Sequence, residues 1–104
     1  MYKLGIIKSM DYAVEFSQEK NELLKSTRNI GFEEVLHCIQ SGKVLDNKIH
    51  HNKLRSNQRI YVVNINNYAY VVPYVINEKT KKIFLKTIYP SRIYTKLYLK
   101  GKTQ

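Results

Sequence analysis

The side chains best suited to chemistry in this sequence are cations, imidazoles and phenols rather than carboxylates. Arg59, Lys86, Tyr89, Arg92, His50 and His51 all fall in the basic C-terminal part of the chain. Cleaving RNA through its 2′-hydroxyl requires that hydroxyl to lose a proton, the phosphorane charge to be stabilised and the leaving oxygen to be protonated. Arg59, Lys86 and Arg92 can stabilise the phosphorane, while His50, His51 or Tyr89 can move protons. None of this needs a metal or a cofactor. A two-metal nuclease draws on several Asp or Glu ligands, and only Asp46 and Glu78 occur after residue 42. A zinc site from His37, Cys38, His50 and His51 is arithmetically open. It is disfavoured because His37 and Cys38 are neighbours on one expected helix and do not readily converge on a tetrahedral ion. Plainer roles stand beside the chemical ones: Arg59 as a solvated strand residue, Lys86 as a charge on a wet sheet face, Tyr89 as core.

Charge gives these residues a setting. Eighteen Lys and Arg against eight Asp and Glu leave the chain of 104 residues at +10. Residues 1–42 carry five basic and six acidic groups, whereas residues 43–104 carry thirteen basic and two acidic ones, 13 − 2 = +11. A one-signed field on part of a small domain attracts polyanions, and nucleic acid is the usual one. Lys53, Arg55, Lys82 and Lys96 join the candidates as contacts to an RNA backbone. The chain is 43% hydrophobic, too apolar for a disordered polymer. A single cysteine excludes a disulfide framework. The P-loop, GxGxxG, HExxH, GxSxG and paired CxxC patterns are all absent. With no apolar run approaching a membrane span and no apolar leader core, the expectation is a cytoplasmic protein with no membrane partner.

The elements that must hold these groups follow from periodicity. Tyr12 to Phe16 reads as a short strand, and residues 1–12 as an extension of a single domain spanning 1–104. Ser17 offers an N-cap to a helix that Gly31 stops. Phe32, Val35, Leu36 and Ile39 recur at i, i+3, i+4 and i+7, the pattern of a second helix closed by Gly42. Val44 to His50, Arg59 to Ile65, Tyr68 to Ile76 and Lys82 to Tyr89 read as four strands. Asn66-Asn67 suits a two-residue hairpin turn. Pro73 marks its strand as an edge or a bulge, and Ser91 caps a short final helix. The expected fold is α+β: two N-terminal helices packed on a four-stranded antiparallel sheet, then a short C-terminal helix. Lys82, Phe84, Lys86 and Ile88 share one face of the last strand, opposite Ile83, Leu85, Thr87 and Tyr89.

The run Val14-Glu15-Phe16-Ser17-Gln18-Glu19-Lys20-Asn21, then Leu23-Leu24-Lys25 and Gly31-Phe32-Glu33-Glu34-Val35, resembles the opening of the BrnT family of toxins. The likeness extends in pattern over residues 13–99. Phe16-Ser17 stands where the family usually has Trp-Asp, and Ile30 where it has His. The resemblance implies a RelE-like ribonuclease fold and the toxin of a type II toxin–antitoxin pair. Such a toxin acts on RNA without metal to inhibit translation. Its implied partner is a cognate antitoxin with a DNA-binding module, commonly ribbon-helix-helix. Two other readings use the same residues: a non-catalytic RNA- or DNA-binding module, and a protein-interaction domain that meets an acidic partner.

Overall fold

The computed structural model describes residues 2–7, 12–49 and 58–99. The elements run β1 (Tyr2–Ile7), β2 (Tyr12–Ser17), α1 (Gln18–Arg28), α2 (Phe32–Ser41), β3 (Val44–Ile49), β4 (Gln58–Ile65), β5 (Tyr68–Asn77), β6 (Lys82–Leu85), β7 (Tyr89–Pro90) and α3 (Arg92–Tyr98). The fold is α+β with three helices, as expected. The sheet, however, has six strands in the order β1-β2-β6-β5-β4-β3, with the two-residue β7 attached to β5. Two corrections follow. Residues 2–7 are a strand antiparallel to β2 rather than an appendage, so two strands precede the helices. The sheet is mixed, because β2 runs parallel to β6 with Val14 opposite Ile83. A parallel partner lies far away in sequence, and local patterning carries no trace of it.

Local chemistry explains the boundaries. Ser17 caps α1, its Oγ accepting from the Lys20 N–H at 3.2 Å. Asn29, not Gly31, ends that helix, in the left-handed conformation at φ 59° that Asn tolerates. Gly31 is instead the extended N-cap of α2, and the Glu34 carboxylate reaches back to its N–H at 3.0 Å. Gly42 terminates α2 at φ 79°. Asn66 and Asn67, at φ 55° and 64°, form the two-residue turn between β4 and β5.

Of the two places expected for Pro73, an edge or a bulge, the edge is overturned, because the residue sits in a central strand. The irregularity falls on its neighbour. The Lys86 N–H donates to the Pro73 carbonyl at 2.8 Å, but proline has no N–H to return. The ladder fails there, and β6 ends at Leu85. Leu85 pairs with Tyr74, whereas Tyr89 pairs with Val71, so the chain has slipped by one residue in between. That slip reverses the expected alternation: Ile88 is buried and Tyr89 is exposed.

Side chains pack on both sheet faces. Val14, Phe16, Val63, Val72, Ile83, Leu85 and Ile88 form the larger core with Leu24, Phe32 and Val35 from α1 and α2. Ile60, Val62, Ala69 and Val71 meet Leu99, Tyr94 and Tyr98 at the α3 end on the opposite face. Asn21 locks the α1–α2 corner from the core. Its Oδ1 accepts from the Phe32 N–H at 2.6 Å, and its Nδ2 donates to both Glu33 carboxylate oxygens at 3.0 Å. No helix of the described residues is long and apolar enough to cross a membrane.

Candidate nucleic-acid surface

The sheet face that carries α3 also carries most of the expected cations. Phe84 opposes Val75, and Lys82 opposes Asn77, on the side away from Ile83 and Leu85. The Lys86 N–H continues that register, which sets Lys86 on the same side as Phe84. Lys86 is exposed, and so is Tyr89, which opposes Val71 of the α3-side core. Arg92 and Lys96 follow on the outer side of α3. Lys82 is half-neutralised by Glu15, 3.4 Å from its Nζ. Lys86, Arg92 and Lys96 enter no ion pair among the described residues. Phe84 is half-buried between these charges rather than standing clear of them.

Arg59 lies elsewhere. It opposes Tyr74 on β5 and shares the α1–α2 side of the sheet with Tyr61. The Tyr61 and Tyr74 rings stack with centroids 4.3 Å apart. The Tyr74 hydroxyl donates to Asn47 Oδ1 at 2.6 Å. Burial pushes both phenols up, and the guanidinium beside them works against that rise. The Arg59 Nε is sealed from solvent without a hydrogen-bond partner among the described residues. Arg59 thus belongs to a strand-end cluster on the face opposite Lys86, Tyr89 and Arg92, and does not join those three. His50, His51, Lys53 and Arg55 lie outside the described residues.

The sequence did not point to an open cleft of about 290 Å³ between α2 and the β4–β5 turn. Glu33, Glu34 and His37 form one wall, Lys43, Asn64 and Asn66 the other, with Cys38 at the floor. Its glutamates repel a phosphate backbone. The Cys38 thiol donates to the Asn64 carbonyl at 3.4 Å, and burial pushes its pKa up, away from a reactive thiolate. His37 is exposed while Cys38 is buried. No group of three or more metal-ligating side chains occurs among the described residues. The only sequence signal for this cleft is the i, i+3, i+4 spacing of Glu34, His37 and Cys38, which reads equally as ordinary helix surface.

No known protein family, curated protein or solved structure matches this chain.

Proposed function

We propose that this protein binds single-stranded RNA along the α3-bearing side of the sheet. The observation that carries this reading is the co-location of Lys86, Tyr89, Arg92 and Lys96, all exposed, on one side of the β6–β7–α3 corner. Three cations track phosphates while a phenol ring offers a stacking face, the combination that sequence-tolerant single-strand binding uses. Anisotropy of fluorescent oligo(U) measures the affinity across a salt series. Replacing Lys86, Arg92 and Lys96 with Ala weakens binding and reduces the salt slope by about 0.7 for each phosphate that is no longer neutralised. An unchanged slope places the RNA elsewhere.

A second reading, metal-free RNA cleavage by a translation-inhibiting toxin held in check by an antitoxin, draws support from Tyr89. The residue is 41% exposed, three residues from both Lys86 and Arg92. A phenol can protonate a leaving oxygen while the two cations stabilise the phosphorane. This reading expects growth arrest on expression and RNA cleavage that survives EDTA. Tyr89→Phe then abolishes cleavage and keeps oligo(U) affinity. Binding without any cleavage leaves the first reading alone.

A further inference from the structure

The outer side of α3 carries a feature that RNA does not account for. The helix has seven residues and is clamped to the sheet along its inner side. The Ser91 N–H donates to the Ala69 carbonyl at 2.9 Å, and the Ala69 N–H donates to Thr95 Oγ1 at 2.8 Å. The Tyr98 hydroxyl donates to Asp46 Oδ2. Arg92, Ile93, Lys96 and Leu97 are left facing outward, at i, i+1, i+4 and i+5 on one face. Ile93 is 77% exposed and Leu97 64%. They sit one turn apart, side by side with two cations, on a helix hydrogen-bonded to the sheet beneath it.

We infer that this face docks an acidic amphipathic helix of a partner protein. The partner's apolar side chains seat on Ile93 and Leu97, and its carboxylates meet Arg92 and Lys96. The charge pattern selects the occupant. A second copy of the chain would bring like charges together in a molecule of net charge +10. An RNA strand offers phosphates and flat bases, which suit Arg92, Lys96 and Tyr89 but leave two branched aliphatic side chains in water. An acidic helix with apolar residues at i and i+4 satisfies both halves of the surface, and Arg92 can engage a carboxylate bidentately. The inference stands on the exposure of Ile93 and Leu97 and does not require the RNA reading.

Selection of random phage-displayed peptides about four helical turns long, with the full chain as bait at physiological salt, tests it. The expected survivors carry clustered Asp or Glu with apolar residues at i, i+3 or i+4. A selected peptide loses about tenfold or more in affinity to the Ile93→Ser, Leu97→Ser double variant, and as much to Arg92→Glu, Lys96→Glu. The serine variant keeps its melting midpoint, since both side chains face solvent, and keeps its oligo(U) affinity. Peptides without the acidic-apolar pattern, or peptides that bind the serine variant undiminished, overturn the proposal. A loss of oligo(U) affinity in the serine variant as large as the peptide loss also overturns it, by making RNA the occupant of this face.

Discussion

Asn21 shows how much one side chain fixes in a small domain. It is the one fully buried polar residue among those described, and its amide satisfies the Phe32 N–H and both Glu33 oxygens. Asn21→Leu strands that N–H, while the half-exposed Glu33 carboxylate turns to water and Lys25, and a loss of about 1–3 kcal/mol in urea denaturation is expected. Gly31 is needed for a related reason. A Cβ there would stand 2.7 Å from Lys25 Cε, 2.8 Å from Glu33 Oε1 and 2.9 Å from Asn21 Oδ1. Its φ of −120° is ordinary, so closeness rather than backbone strain demands glycine. Lys25 and Glu33 are half-exposed and can swing aside, so the buried Asn21 Oδ1 sets the cost, and Gly31→Ala should cost about 1 kcal/mol through overpacking. The Lys20-Asn21 and Gly31-Phe32-Glu33-Glu34 segments therefore have a structural purpose at the α1–α2 corner. The same corner predicts acid sensitivity. Burial pushes the Glu33 carboxyl up, but Asn21, its own backbone N–H and Lys25 together hold it below its ordinary value. Its contribution is present above the unfolded pKa and is lost as pH falls through the lowered folded one.

At the scale of elements, α3 depends on polar clamps as much as on apolar area. Thr95→Val removes the acceptor from the N–H of buried Ala69, and a destabilisation of about 1–2 kcal/mol is expected. Amide exchange in α3 should rise more than in β4. Tyr98 is the second clamp. Its bond to Asp46 raises the phenol to about 12 and lowers the carboxyl. For the phenol, stability is intact below pH 10, its ordinary value, and is lost as pH rises towards the folded value near 12. For Asp46, stability is lost as pH falls through its lowered value. A pH series of urea midpoints should show both flanks, and Tyr98→Phe should shrink each of them. If the variant's profile overlays the parent's, the clamp is not formed in solution.

Across the whole molecule, legibility followed distance in sequence. The hairpin at Asn66-Asn67, the cap at Ser17 and the apolar period of α2 are local, and each was readable from neighbouring residues. The hydrophobic alternation of β6 was readable up to Lys86 and failed at Ile88. The cause is a missing N–H on Pro73, thirteen residues before Lys86 and on another strand. The candidate site divides in the same way. Lys86, Tyr89, Arg92 and Lys96 are close in sequence and stay together. Arg59 was grouped with them by residue type alone, and strand parity sends it to the other side of the sheet.

The parallel seam between β2 and β6 also sets the order in which this protein can be made. Residues 12–17 leave the ribosome long before their partner at 82–85 exists. Until then Val14 and Phe16, both fully buried in the finished fold, have one neighbouring strand instead of two. Closing that seam means closing a loop that spans most of the chain, a slow step for any sheet protein. In every nascent chain, then, one edge of β2 lacks its partner until residues 82–85 have been made. An unpaired apolar strand edge is where chains stick to one another.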